Sequence, residues 1–304
     1  MGAQAPLNPS PGYGLDQSPA TPRALLSRRN FIRLLATGSL GVAFMGWRMT
    51  AAADDLEVTT RSLRVPGIPA GRRLRILHLS DLHHCGPASL QRIARAVELG
   101  LAQGPDVAAL TGDFITGGDF ITPGYGKALG VLAAAVPTFA CYGNHDGWRG
   151  EAKFANLEAL LREAGVQPLE NESAFVQAAC GRVRIDGMGD LWKGVCDPTR
   201  LPPDDPSRPC VARIVLAHNP DSTGELRHLP FDLLLCGHTH GGQVRVPLLD
   251  YAPHIPAKDR RFIEGLVAWE GRHVHTTRGV GNLHGIRLSC PPEVGIVDLL
   301  GAGR

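Results

Sequence analysis

From Leu74 onward the chain is a succession of short apolar runs, each followed closely by side chains that bind metals or move protons. Residues 76–79 lead into Asp81-Leu82-His83, residues 107–110 into Gly112-Asp113, and residues 138–142 into Gly143-Asn144-His145-Asp146. Residues 214–217 end at His218, and residues 233–236 at Gly237-His238-Thr239-His240. Near-continuous apolar runs of this length predict strands buried on both faces. Between them, Leu90, Ile93, Val97 and Leu101 recur at helical spacing, as do Phe154, Leu157, Leu160, Leu161 and Ala164. The chain is therefore of the α/β class. In such folds ligands gather at the carboxyl ends of the strands, so these loops can converge on one place.

After Gln243 the pattern turns to shorter β-like pieces over residues 262–269, 273–276 and 295–299. No internal repeat is visible, and no linker divides residues 72 to 300. A lone histidine is more often a surface or core residue than a ligand. The joint occurrence of Asp, Asn and His after successive apolar runs is what points to a site. His78, alternating within the first run, is expected in the core, and His84 beside His83 is a candidate lining residue. His228, His254, His273, His275 and His284 have no motif support.

A donor set of imidazoles with Asp and Asn suits divalent transition metals such as manganese, iron or zinc, whereas calcium and magnesium prefer cages of oxygen. These motifs, in this order, resemble the calcineurin-like metallophosphoesterase superfamily over roughly residues 74 to 300. The resemblance implies two metal ions. Asp81, His83, Asp113 and His240 would hold the first, and Asp113, Asn144, His218 and His238 the second, with Asp113 bridging. His145 matches a histidine outside the metal shell that stabilises the transition state or protonates the leaving group, with Asp146 a candidate to orient its ring. The implied fold is a four-layer α/β/β/α sandwich. Asn219, Asn282 and Arg287 are further candidates for supporting the ligands or touching substrate, together with His84 and Asp146.

The implied reaction is hydrolysis of a P–O bond by metal-activated water, in a phosphate ester or a phosphoanhydride. Two cations address the weak nucleophile, the repulsion of phosphoryl oxygens and the basic leaving group together. Purple acid phosphatases, a related branch, place Tyr three residues after the bridging Asp, but Thr116 stands there. His218-Asn219-Pro220-Asp221 and the run from Gly237 to Gln243 look most like exported or membrane-associated bacterial phosphodiesterases. A phosphorylated substrate, lipid-linked or nucleotide-like, fits that branch. The alternative is a metal-bearing binding or scaffold protein of the same fold, which has no physical need of the full ligand set.

Composition narrows partners and location. Residues 1–53 hold five Arg and one Asp, which leaves 26 basic and 28 acidic residues in the remainder, a formal charge of −2. No basic run with interleaved aromatics occurs, so stable nucleic-acid binding is not expected. Arg28-Arg29 precedes an uncharged stretch over residues 34–47, too short to cross a bilayer, and Ala51, Ala52 and Ala53 follow. This reads as a twin-arginine signal over residues 1–53, recognised by the export machinery. It places the protein in the periplasm or on the outer face of the cytoplasmic membrane, tethered there if the leader is uncleaved. Residues 54–71 read as a connecting segment and 72–304 as the metallophosphoesterase domain.

There are seven Cys and no Cys-x-x-Cys spacing. Cys141 and Cys236 read as buried thiols, while Cys180, Cys196, Cys210 and Cys290 are candidates for bridges in an oxidising compartment. Substrate choice is expected in the irregular segments 117–126, with Phe120 and Tyr125, and 188–209, with Trp192 and Lys193. The return after Gly279 and the pair Trp148-Arg149 are further places for it.

Overall fold

The computed structural model describes residues 55–116, 121–147, 150–246, 251–281 and 286–302. The twin-arginine pair, Phe120, Trp148, Arg149 and Asn282 lie outside these residues. The expected strands appear as β2 (Arg73–Leu79), β3 (Val107–Thr111), β4 (Thr138–Cys141), β8 (Ala212–Leu216) and β9 (Leu233–Cys236). The helical spacings become α1 (Pro87–Leu101) and α3 (Glu151–Glu163). The later pieces are β10 (Gly265–Trp269), β11 (Arg272–Thr276) and β12 (Glu293–Gly301).

Five elements were not legible as such. Residues 57–65, inside the expected connecting segment, form β1 (Glu57–Val65), which pairs in parallel with β12 at the edge of the first sheet. Its Thr-, Val- and Leu-bearing alternation was hidden by exposed Arg and Glu. α2 (Pro123–Ala135) occupies part of the expected irregular segment 117–126; Thr122 caps it by accepting from Tyr125 N, and Pro123 sits at its first turn. β5 (Gln167–Pro168), β6 (Glu172–Ala178) and β7 (Gly181–Gly187) complete the order.

The strands form two 6-stranded sheets, ordered β1-β12-β2-β3-β4-β5 and β10-β11-β9-β8-β7-β6. The first and last described strands lie side by side, so both ends of the described chain close one domain. Alternation along the strands divides the core into three parts. Leu74 and Ile76 of β2 meet Ile214, Leu216, Leu233 and Leu235 between the sheets. Leu77 and Leu79 face the helices, packing with Ile93, Leu129, Leu132 and Leu161. On the far side of the second sheet, Val215, Leu234 and Val274 pack under Met188, Leu226, Phe231 and Phe262. That fourth layer is made of loops and short 3-10 turns such as Pro220–Thr223 and Arg260–Phe262, rather than of helices as long as α1.

A buried ion network braces β7 to β8 on the same outer side. The Asp186 carboxylate accepts from Arg184 Nε at 2.9 Å, from Arg213 Nε at 2.6 Å and from Ser173 Oγ, while Arg184 also donates to Asp204 at 2.7 Å. All seven cysteines are free, including the four considered for bridges. Among the described residues no helix is long and apolar enough to cross a membrane.

Candidate metal centre

The ends of β2, β3, β4, β8 and β9 bring the motif side chains to one edge of the sandwich. Asp113 Oδ2 lies 3.3 Å from His218 Nε2 and 3.6 Å from His83 Nε2. His83 Nε2 and His240 Nε2 are 3.1 Å apart, and His240 Nε2 is 3.3 Å from Asp81 Oδ1. His238 Nδ1 is 3.2 Å from His218 Nε2. Two compact donor groups result, Asp81–His83–His240 and Asp81–Asp113–His218, all buried. The side chain of Asn144 is also buried, and its Oδ1 has no hydrogen-bond donor.

These donors fit divalent cations. Nitrogen and oxygen atoms 3.1 to 3.3 Å apart have the separation imposed by a shared cation ~2.1 Å from each. Without one, each close imidazole pair is satisfied only if one ring donates to the other, and the buried Asn144 Oδ1 is left without a donor, which is costly. Asp113 touches both groups and is the residue that would join two ions.

Backbone strain is concentrated here. Asp81, His83, Asp113, His238 and His240 all have left-handed φ, between 44° and 70°. Each such non-glycine residue costs on the order of 1–3 kcal/mol, and such strain gathers where a constellation of side chains must be held. The glycines of the motifs make room for it. A Cβ on Gly143 would collide with the Asp113 carboxylate, and one on Gly237 with Ser80 Oγ and Asp81 Oδ2.

Protonation follows from burial. Desolvation pushes the His83 imidazole down to about 4, His238, with help from His218, to about 3, and His240 well below its usual range. Their lone pairs are thus available at neutral pH, as metal binding requires. Burial raises the Asp81 carboxyl to about 6. For Asp113 burial acts in the same direction, but the facing His218, His83 and His145 hold it well below the usual carboxylate range. Burial likewise opposes charge on His218, yet the Asp113 carboxylate raises that imidazole to about 10. Its Nδ1 lies 2.7 Å from Thr111 O, an acceptor only, so Nδ1 keeps a proton in either charge state and Nε2, facing Asp113, is the nitrogen that would give up its proton to a bound cation.

His145 stands at the mouth. Its side chain is 20 % exposed, Nε2 is 4.0 Å from Asp113 Oδ2, and its ring lies edge-on to His83. Its backbone N–H donates to Asp113 Oδ1 at 2.9 Å. Asp146 does not orient that ring. Its carboxylate instead accepts from the backbone N–H of Asp113, Phe114 and Gly143 at 2.8 to 3.0 Å, tying the loop after β3 to the loop after β4.

The other candidates are placed as follows. His84 is turned into the α1–α2 side, with Nδ1 3.0 Å from Ser89 Oγ and its ring against Tyr125, so it does not line the cleft. Tyr125, expected near substrate, is fully buried and donates to Phe114 O. Asn219 Oδ1 accepts from Asp221 N and starts the turn after His218. Arg287 is fully buried, donating to the carbonyls of Arg278, Gly281 and Cys290, and shapes the return that presses Gly279 and Gly281 on Asp81. His78, expected in the core, is there.

A cleft of about 430 Å³ opens over Asp113, Asn144, His145, His238 and His240, walled by Trp192, Val244, Pro253 and Pro256. Gln243, the last residue of the run from Gly237, also lines it, as does His254, which had no motif support. Asp190, buried three residues beyond β7, was missed for a physical reason. β7 carries Arg184 and Asp186 and so lacks the apolar run that marks the other strands.

The profile of the calcineurin-like phosphoesterase family matches residues 74–242. The chain is 43% identical over 277 residues to phosphodiesterase YaeI of Escherichia coli, covering 91% of this chain and 100% of that one. It is 32% identical to the uncharacterized metallophosphoesterase YkoQ of Bacillus subtilis, covering 79% and 89%. UDP-2,3-diacylglucosamine pyrophosphatase LpxG of Chlamydia trachomatis is 29% identical, covering 75% and 84%.

Proposed function

The chain belongs to the calcineurin-like phosphoesterase family, and from that premise we propose that it is a two-metal phosphodiesterase or pyrophosphatase of the cell envelope. The observation that carries this reading is the placement of Asp113 Oδ2 between two groups of buried donors, within 3.6 Å of His83 Nε2 and 3.3 Å of His218 Nε2. Asp81, His83, Asp113 and His240 would hold one ion, and Asp113, Asn144, His218 and His238 the other. Manganese, iron or zinc would supply Lewis acidity there, lowering the pKa of water and neutralising phosphoryl charge.

The chain's own residues do the rest. His218 keeps its proton on Nδ1 through Thr111 O and so presents Nε2. His145, at the solvent edge beside Asp113, is placed to give a proton to the departing oxygen. Among the described residues lining the cleft none is Lys or Arg. That lining would leave the phosphoryl charge chiefly to the metal ions and His145. A lipid-linked or nucleotide-like phosphate is in keeping with the substrate in the name of the chlamydial relative, and export through Arg28-Arg29 would bring the enzyme to the envelope.

The test is turnover by the purified, metal-stripped protein with manganese, iron or zinc restored, on a nitrophenyl diester, a nitrophenyl monoester and a nucleoside diphosphate sugar. Hydrolysis of the diester or the pyrophosphate that vanishes with chelator is expected. No turnover with any of the metals would leave the scaffold reading in its place.

A further inference from the structure

Trp192 is 51 % exposed, yet the turn that carries it is fastened from both sides. Asp190 Oδ1 accepts from Lys193 N at 2.9 Å and Asp190 O from Val195 N at 3.2 Å, closing the turn internally. Asn171, itself buried and left-handed at φ 55°, grips it from outside. Its Oδ1 accepts from Gly189 N and Asp197 N at 3.0 Å each, and its Nδ2 donates to Val195 O at 2.7 Å. A Cβ on Gly189 would collide with Val195 O, so the turn closes only with glycine there.

The turn presents the indole over the metal centre, edge-on to the His238 ring with centroids 4.4 Å apart. Val244, Pro253 and Pro256 line the same cleft. Held there, about half of the indole has no packing partner in the fold itself. This is the arrangement of a preorganised binding surface, in which the ordering cost is met before the ligand arrives. Aromatic walls with few polar groups are also the ordinary lining of a small-molecule site.

We propose that Trp192 is the surface on which an apolar, ring-sized ester substituent of the substrate packs, so that the cleft selects diesters by the bulk of that group. Asn171 acts as a positioning residue, through the turn. The proposal rests on the phosphoesterase reading and adds the substrate feature that is recognised.

The experiment compares kcat/KM for p-nitrophenyl phenyl phosphate and p-nitrophenyl methyl phosphate, which release the same nitrophenolate and differ only in the retained group. The phenyl-to-methyl ratio of Trp192→Ala should fall by about tenfold or more relative to the unaltered protein, the scale of losing one apolar contact in a pocket. Trp192→Phe should keep most of the ratio, and Asn171→Ala should lie between. Metal content by atomic emission should match the unaltered protein throughout. An unchanged ratio in Trp192→Ala overturns the proposal. So does loss of metal in that variant, which would make Trp192 a support for His238. Failure of the unaltered, metal-loaded protein to cleave either diester overturns the diesterase reading on which the proposal rests and is seen separately.

Discussion

His145 and Asn144 are neighbours in sequence with opposite exposures and opposite tasks. Asn144 is buried with an unpartnered Oδ1, whereas the His145 side chain reaches solvent at 20 % with Nε2 4.0 Å from Asp113 Oδ2. If His145 protonates the leaving oxygen, its removal should matter little for a nitrophenolate, already a stable anion, and much for an alkoxide. General acid assistance is worth roughly 10² to 10⁴-fold. His145→Ala should thus retain its metals and much of its rate on a nitrophenyl diester, yet lose about that factor on an alkyl diester. Parallel losses on the two substrates would assign it to phosphoryl charge instead, and loss of metal would place it among the ligands. The donor side chains that gather at the candidate centre were legible in the sequence because each follows a strand, and their identities suit one chemistry. Asp146 was not legible as a loop brace because adjacency in sequence suggests contact with His145, while the turn after β4 sends its carboxylate to backbone amides of the loop after β3 and of Gly143.

Elements whose residues bury on both faces announced themselves, and those with one polar or charged face did not. β3, Val-Ala-Ala-Leu-Thr, is buried at every position, whereas β1 and β7 mix charges into their alternation. The pairing of the two sheets hides one further feature. His78 of β2 and His275 of β11 meet between them, Nδ1 to Nδ1 at 3.0 Å, and His78 Nε2 lies 2.9 Å from Thr111 Oγ1. Desolvation drives both imidazoles down, His275 to about 4 and His78 well below its usual value. The native protein therefore binds fewer protons than the unfolded chain below the ordinary histidine pKa of about 6.5, so this contribution is full above that pH and is lost as pH falls toward 4. The His275 imidazole alone should cost roughly 2 kcal/mol of stability between pH 7 and 5, and His78 acts in the same direction. Urea unfolding at the two pH values should show a smaller fall in a His78→Leu, His275→Leu double variant. Equal falls would show that the pair is not what senses acid.

At the scale of the whole molecule, the donors at Asp81 and His240 belong to different sheets and meet only when the sandwich has closed. A metal loaded before export would therefore require transport of a folded protein, which is what the twin-arginine route provides. Replacing Arg28 and Arg29 by Lys should keep active enzyme in the cytoplasm, measured by activity in separated cytoplasmic and envelope fractions; normal export of the double variant would reject the signal. The amino-acid sequence by itself determined the class of fold, the strand ends and the identity of the donors, because apolar periodicity and residue chemistry are local properties. Only the tertiary structure decided that β1 closes the first sheet beside β12, that Arg287 supports the loop around Asp81 and that Trp192 overlooks His238. Those contacts join residues far apart in the chain, and their energies depend on a shape that no single stretch of sequence contains.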